Sequence, residues 1–194
     1  MKNKYKKHVP VYLAVFILAC AFVTGFGLNR PPETKYINAS WSYNYADIKE
    51  ISKVSDLIAI VHIEKKASEY EKQEIPFTEY TASVMKPVYN SSAGQEVTIV
   101  MTGANNSNTH IEIADDPLLT SGEEFLIFAK HNTDDTYTIL SGPQGRLVYS
   151  NGKLNSLQAV NARDRANNTD GNINVVNADA EEMCSKIRGY LNLK

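Results

Sequence analysis

Three histidines in residues 29–194 are the first candidates for acid–base chemistry: His62, His110 and His131. His62 falls in a run of branched residues at the opposite parity to Ile63, so we expect it to face solvent or a rim. A hydrolase would need a histidine within hydrogen-bond reach of a nucleophile and a carboxylate, and no Gly-x-Ser-x-Gly elbow supplies that nucleophile. Each histidine is therefore expected to be a solvated surface side chain.

Two pairs of adjacent aspartates, which begin at Asp115 and Asp134, are the carboxylates that could serve such a histidine. An exported hydrolase would assemble its site from distant residues, with His131 or His110 beside Asp115 or Asp134. Aspartates in this context more often cap backbone amides in turns, and that is the role we expect. We assign no catalytic residue and do not expect an enzyme.

Metal and cofactor patterns also fail. Zinc needs three or four clustered ligands, and neither His-x-x-x-His nor Cys-x-x-Cys occurs. Residues 167–172 resemble part of a calcium loop, but Ala166 and Asn177 stand where a carboxylate and a bidentate glutamate are required. Cys184 falls on the apolar stripe of a C-terminal helix and should be a small buried hydrophobe. We expect no metal and no cofactor.

Residues 1–28 join a basic start to an apolar run. Four lysines precede residues 9–28, which carry no formal charge. A helix of twenty residues is about 30 Å long, the thickness of the hydrocarbon core of a bilayer. Because positive flanks resist translocation, the N-terminus should be cytoplasmic and the body extracytoplasmic. We expect the chain to contact the membrane through residues 9–28.

The fate of this leader has three readings. Residues 17–20 resemble a bacterial lipobox, which would make Cys20 a lipidated residue. The small-x-small pattern ending at Ala21 is a signal-cleavage site, and cleavage after Ala21 would release a secreted protein. We favour an uncleaved single-pass anchor, because the run stays apolar beyond Ala21. In the first and third readings the protein is held at the cell membrane.

The net charge and the thiol content of residues 29–194, the body of the chain, limit the partners and the disulfides that it can have. Residues 29–194 keep 16 of the 20 basic and all 22 acidic residues, a net charge of -6. Such a surface lacks the basic groove that nucleic-acid backbones require, so we exclude nucleic acid. Cys184 is the only thiol of these residues, so they form no internal disulfide, as in exported proteins of many single-membrane bacteria.

The remaining sequence predicts a linker and one domain. Residues 29–45 combine a Pro-Pro spacer with Trp41 and tyrosines, which we expect to pack on the domain. The domain, residues 46–194, begins with a short helix and ends with a helix capped by Asp179. Between them the pattern predicts strands near residues 57–63, 77–88, 97–101, 111–113, 125–129, 137–140 and 146–149, a charged loop at residues 64–74, and a hairpin at Asn151-Gly152.

Short strands at this regular spacing, with turns between them, are typical of a small antiparallel barrel or sandwich. Four segments in order, residues 55–61, 80–84, 97–99 and 119–128, resemble netrin-like modules, including the barrel of the tissue metalloproteinase inhibitors, and small exported bacterial proteins. The resemblance covers residues 46–155 and implies an OB-like five-stranded barrel with flanking helices. Inhibition of metalloproteases does not carry over, because the inhibitors use an N-terminal cysteine amine that this body lacks.

The expected fold is therefore mainly β: a small antiparallel OB-like β-barrel with a short N-terminal and a C-terminal helix, preceded by an apolar membrane helix. The expected function is that of a membrane-tethered extracytoplasmic binding or accessory module of the bacterial cell envelope. Its partner would be an unidentified protein or envelope ligand. The alternatives are the exported hydrolase above and a purely structural envelope protein.

Overall fold

The computed structural model describes residues 34–37, 41–106, 110–157 and 173–193. All of them belong to one compact unit, Thr34–Lys194. The leader, with Cys20 and Ala21, and the calcium-like residues 167–172 lie outside the described residues. Within the described ranges, no helix is both long and apolar enough to cross a membrane.

The described chain is mainly β, with two α-helices. Its elements are β1 (Thr34–Ile37), α1 (Ile48–Val54), β2 (Leu57–Lys72), β3 (Ile75–Tyr89), β4 (Glu96–Asn105), β5 (His110–Ile113), β6 (Glu124–His131), β7 (Tyr137–Ile139), a 3₁₀ turn (Gly142–Gly145), β8 (Arg146–Ser150), β9 (Lys153–Ser156), β10 (Ala178–Asp179) and α2 (Ala180–Tyr190).

Five strands close into a barrel. β2 pairs with β3, β3 with β4, β4 with β7, β7 with β6, and β6 with β2 again. This order confirms the expected OB-like barrel. The expectation of an antiparallel barrel needs one correction, because β4 and β7 run parallel. A ring with an odd number of strands cannot alternate in direction all the way round, so one ladder must be parallel.

Residues 57–63 of β2 and residues 125–129 of β6 are buried on both faces, which explains their nearly unbroken apolar sequences. Residues at one parity point into the barrel, and those at the other parity lie under the helices. The inward set is Leu57, Ala59, Val61, Ile63, Phe125, Ile127 and Ala129, and the outward set is Ile58, Ile60, Leu126 and Phe128. β6 is a central strand as predicted, since it pairs with β2, β7 and β8.

Both predicted helices are confirmed. Asp47 caps α1 by accepting a hydrogen bond from the Glu50 amide, and Asp179 caps α2. Ile51 of α1 and Cys184 and Ile187 of α2 are fully buried against the outward residues of β2 and β6. These helices therefore cover one side of the barrel wall, and α2 also contacts the end of β3, where Arg188 Nη2 donates to the Pro87 carbonyl at 2.8 Å.

The predicted loop at residues 64–74 is wrong, because β2 continues to Lys72 and turns directly into β3. We call residues 68–79 the hairpin arm. Register shifts near residues 63–68 interrupt the period of two, which is why the sequence pattern dissolves there. Cross-strand pairs of side chains on its surface stabilise the arm instead. Such pairs leave no hydrophobic period in the sequence, so the pattern could not predict this part of β2.

The segment assigned to the linker has structure in its described part. Thr34–Ile37 forms β1 and pairs in parallel with β5. Gln144 accepts a hydrogen bond from the Tyr45 amide at 2.9 Å and donates one to the Tyr45 carbonyl at 3.2 Å. Trp41 packs against Gly142, where a Cβ atom would lie 2.2 Å from the indole. Packing of these aromatic residues on the domain is thus confirmed for Trp41 and Tyr45.

The Asn151-Gly152 hairpin is also confirmed. It joins β8 to β9, with φ of 51° at Asn151 and 75° at Gly152, the left-handed conformation that a two-residue turn requires. β8, β9 and β10 extend the sheet outward from β6. This extension, together with the helices, encloses the second apolar cluster of the domain.

Candidate functional site

The three histidines are dispersed, and each contacts a different carboxylate. Among the described residues, neither His110 nor His131 forms a hydrogen bond or ion pair with Asp115 or Asp134. The contacts that exist are His62 Nδ1 to Glu124 Oε1 at 3.4 Å, His110 Nε2 to Glu112 Oε2 at 3.4 Å, and His131 Nε2 to Asp135 Oδ1 at 3.3 Å.

Asp134 has the turn role expected from the sequence. Its Oδ1 accepts hydrogen bonds from the Thr136 hydroxyl at 2.7 Å and the Thr136 amide at 3.3 Å. These hydrogen bonds lower the pKa of Asp134. The carboxylate is thus committed to the β6–β7 loop and is a poor partner for a catalytic base.

Asp116 has a role that the sequence did not reveal. Its carboxylate meets Arg146 Nη2 at 2.6 Å, and the same nitrogen donates to the Pro117 carbonyl at 2.6 Å. The Arg146 guanidinium also lies 5.4 Å from the centre of the Phe125 ring. Burial raises the pKa of Asp116, and Arg146 opposes that rise. Because both side chains are buried, a ligand cannot reach them. The pair instead holds the β5–β6 loop against the barrel.

A cleft of about 430 Å³ lies where β6 begins and β8 ends. Ser150 lines it, close to the His62–Glu124 pair. However, Ser150 has the parity of Val148, which packs on the barrel core, whereas Glu124 has the parity of Leu126 on the helix side. Ser150 and His62 therefore point to opposite faces of the sheet, and the cleft offers no nucleophile–base pair.

The outward residues of the central parts of β3 and β4 form a mixed surface of polar and apolar side chains, none of which belongs to the cluster under the helices. Thr81, at its centre, is only 9% exposed. Val97, Ile99 and Met101 point inward, so their neighbours point outward. The cross-strand partners are Phe77 with Thr102, Glu79 with Val100, Thr81 with Thr98, and Ser83 with Glu96. We call these eight residues, together with Ser68 and Tyr70 of the arm, the β3–β4 face.

The hairpin arm places an aromatic pair on this face. The Tyr70 and Phe77 rings stack with centroids 5.5 Å apart and planes 19° apart. Tyr70 is 39% exposed, so one side of the stack meets solvent. Next to it, the Ser68 hydroxyl donates to Glu79 Oε2 at 2.7 Å and orients that carboxylate. The face thus combines an apolar platform with a fixed acceptor.

The β6–β7 loop borders the same face. Thr138 of β7 is the register partner of Val100, and Asn132 Nδ2 donates to the Thr138 hydroxyl at 3.0 Å. Burial, followed by the charges of Glu79 and Asp134, raises the pKa of Tyr70. Asp134 of the β6–β7 loop therefore lies within electrostatic range of Tyr70 and Lys72 of the arm.

This arrangement matches the place where OB-fold barrels bind ligands. Those barrels use the face of their second and third strands, flanked by the loops that join strands one to two and four to five. Here β3 and β4 are the second and third barrel strands, and the arm and the β6–β7 loop are the flanking connections. Sequence reasoning missed the face because Tyr70 and Ser68 fell in a predicted loop.

In the described ranges, no group of three or more histidine, cysteine, aspartate or glutamate side chains could hold an ion. The chain is thus an OB-like β-barrel protein with a polar, partly aromatic surface. Comparison with known proteins adds nothing to this class, because no family model, curated protein or solved structure matches the chain.

Proposed function

We propose that this chain is an extracytoplasmic binding module of the bacterial cell envelope, and that it binds its partner on the β3–β4 face. The observation that carries the proposal is the Tyr70–Phe77 stack beside Glu79, on the face that OB-like barrels use for ligands. Partly exposed aromatic rings next to an oriented polar group are typical of binding surfaces.

The proposed location depends on the sequence of the leader. Four lysines followed by residues 9–28 favour a single-pass anchor with the body outside the cytoplasm. Lipidation at Cys20 would leave the body on the same side, and cleavage after Ala21 would release it there. The proposed module therefore meets envelope components under each reading.

Binding is favoured over hydrolysis by the dispersal of the histidines. The hydrolase alternative needs His110 or His131 beside Asp115 or Asp134, but in the described part of the chain these histidines form their ion pairs with Glu112 and Asp135. A purely structural role would account for the Ser68–Glu79 and Tyr70–Phe77 pairs as cross-strand support of the arm, whereas the partial exposure of Tyr70 on this face favours a binding role. The net charge of -6 outside the leader continues to disfavour nucleic acid.

Photo-crosslinking in intact cells tests the proposal. Benzoylphenylalanine at Thr102 reports on the β3–β4 face, and the same group at Val54 reports on α1, where Val54 is 41% exposed. We expect a specific adduct from position 102 that disappears in the Tyr70→Ala background, and no such adduct from position 54. Adducts from position 54 alone, or an adduct from position 102 that Tyr70→Ala leaves unchanged, would overturn the proposal.

A further inference from the structure

We propose that two copies of this chain pair through the outer edge of β1, antiparallel and centred on Tyr36, and so form a dimer in the membrane. This inference goes beyond the proposed binding function and takes from it only the membrane tether. It follows from the open edge of β1, the direction of its backbone groups and the side chains that it presents.

Strand β1 is the last strand on its side of the sheet. In the described part of the chain it pairs only with β5, which in turn pairs with β4. The outer edge of β1 is therefore open to another strand. Such an edge presents backbone N–H and C=O groups that an extended chain of opposite direction can bind.

The register of β1 against β5 shows which residues offer these groups. The Ala114 amide donates to the Ile37 carbonyl at 3.4 Å, so the backbone groups of Ile37 point toward β5. In a parallel pair, the N–H and C=O of one residue point to the same side, and successive residues alternate. Lys35 therefore also points toward β5. Thr34 and Tyr36 present their N–H and C=O groups at the open edge.

The side chains select Tyr36 as the centre of the pairing. In this register the two Tyr36 residues exchange both backbone hydrogen bonds, and their rings, each 61% exposed in the single chain, lie opposite each other. Lys35 then lies opposite Ile37 of the second copy. A pairing centred on Lys35 would instead place two lysines opposite each other, and like charges in that position are destabilising, whereas aromatic pairs are stabilising.

The symmetry of this pairing is compatible with a common membrane. A twofold axis perpendicular to the sheet relates the two β1 strands, and it leaves corresponding faces of the two copies on the same side. The contact uses the same surface of each copy, so it closes as a dimer and does not continue as a filament. Both copies can therefore be tethered to one bilayer.

The tether explains how so small a contact can form. Four residues in each copy bury far less than the roughly 1,600 Å² of a standard interface. Under the single-pass anchor, only residues 29–33 separate residues 9–28 from β1, and five residues reach at most about 18 Å. Copies in one membrane are thus confined to a thin layer, which raises their effective concentration. We expect the dimer in membranes and not in dilute solution.

Disulfide crosslinking of the full-length chain in its own membranes tests the pairing. The background is Cys20→Ser, in which the other natural thiol, Cys184, is fully buried in α2. Tyr36→Cys places two thiols on residues whose Cα atoms are about 5.5 Å apart in the proposed dimer, a separation that a disulfide can bridge. We expect this variant to form a disulfide-linked dimer on oxidation.

Two further cysteine variants are the controls. Tyr43→Cys is the matched one, because Tyr43 is also an exposed tyrosine, at 53%, but its hydroxyl donates to Glu50 beside α1. Lys35→Cys tests the register, because Lys35 lies opposite Ile37 and not opposite itself. We expect Tyr36→Cys to give at least about tenfold more dimer than either control.

A second pair of variants separates backbone pairing from side-chain contact. Tyr36→Pro removes an N–H that faces the open edge, so the hydrogen bonds between β1 and β5 are kept, and edge strands tolerate proline in this orientation. Each dimer loses two hydrogen bonds, and we expect it to weaken at least about tenfold. Tyr36→Val keeps the N–H and the strand propensity, and it should weaken the dimer less than about threefold.

Energy transfer between C-terminally labelled copies measures this weakening in proteoliposomes over a range of lipid-to-protein ratios, and circular dichroism checks that each variant is folded. Equal crosslinking from Tyr36→Cys and Tyr43→Cys, stronger crosslinking from Lys35→Cys, or energy transfer unchanged by Tyr36→Pro would overturn the proposed pairing.

The outcomes separate this pairing from the proposed binding function. The Thr102 photo-adduct reports on the β3–β4 face, which does not include β1, and its mass identifies what is bound. If that adduct persists while the β1 crosslink fails, the binding function stands and the dimer falls. The reverse result would leave the dimer and remove the proposed binding function.

Discussion

Arg146 and Asp116 form a buried ion pair, with Arg146 Nη2 2.6 Å from Asp116 Oδ1 and the two residues only 1% and 3% exposed. Arg146 begins β8, and Asp116 belongs to the loop between β5 and β6. The pair therefore joins two segments that are about thirty residues apart in sequence and holds the loop against the barrel. The guanidinium charge is also in reach of the Phe125 ring.

Removal of one partner should be costly. We expect Arg146→Met to lower the free energy of unfolding by about 3–5 kcal/mol at pH 7, because Asp116 is left as an unpaired buried charge. The double variant Arg146→Met with Asp116→Leu should recover most of that loss. Urea unfolding of the three proteins measures both values, and a loss below about 1 kcal/mol for the single variant would contradict the structural role.

The same variant should depend on pH. Burial already raises the pKa of Asp116, and removal of the arginine, which opposes the rise, should raise it further. When the pKa of a carboxyl is higher in the folded protein than in the unfolded chain, the folded protein becomes less stable as pH rises above the unfolded-state pKa of about 3.9. The difference between Arg146→Met and the parent should therefore grow from pH 4 to pH 8. A difference that is constant with pH would show that lost packing, not charge, dominates.

Asp56 should show the opposite dependence. Lys130 Nζ lies 2.9 Å from its carboxylate, and this hydrogen bond, with one from the His131 amide, lowers the pKa of Asp56. That stabilisation is present above the unfolded pKa of about 3.9 and is lost as pH falls through the lower folded value. We expect Asp56→Asn to cost less than about 1 kcal/mol at pH 7, because solvent screens the exposed pair. Thermal unfolding of Asp56→Asn and the parent should show that this loss of stability becomes smaller below pH 4. A loss of the same size at pH 2 would show that the charge of Asp56 is not its cause.

Gly142→Ala should dislodge the indole of Trp41. Gly142 has φ of 51°, and an added Cβ would lie 2.2 Å from Trp41 Cζ2. Gly152→Ala is the matched control, since its φ is 75° and nothing lies within 4 Å of the added atom. Trp41 is the only tryptophan of the chain, so its fluorescence reports this contact alone. We expect a red shift in Gly142→Ala and none in Gly152→Ala. Equal spectra would show that Trp41 is not packed there.

The intact mass of the membrane-extracted protein decides the fate of the leader. The uncleaved anchor that we favour predicts the full-length mass of 21.6 kDa. A diacylglycerol adduct would indicate lipidation at Cys20, and a shortened mass would indicate cleavage after Ala21. Either of those results would overturn the single-pass anchor while leaving the body outside the cytoplasm.

Much of the fold could be predicted from the sequence, because its signals are local. Asp179 before an amphipathic stretch identified the last helix, and Asn151-Gly152 identified a hairpin. The apolar run at residues 125–129 identified β6 as central, because only a strand buried on both faces is apolar at every position. The five-stranded OB-like barrel followed only from the resemblance, and its closure by the parallel pair of β4 and β7 was not predicted.

The candidate site could not be predicted in the same way, because its residues act across strands. Tyr70 and Ser68 lie in a charged segment without periodicity, and only the register of β2 against β3 brings them to Phe77 and Glu79. Arg146 likewise gives no local sign that it is buried, since its partner comes from a distant loop. Both the β3–β4 face and the ion pair therefore depend on contacts between residues that are distant in the sequence.

Hydrogen–deuterium exchange tests the central claim, that the β3–β4 face binds an envelope component, most directly. The full-length chain in nanodiscs would be compared with and without solubilised cell-wall fragments from its own host. We predict slower exchange in the hairpin arm and in the β6–β7 loop, with no change in α1 or α2. Protection confined to α1 and α2, or no protection anywhere, would contradict the claim.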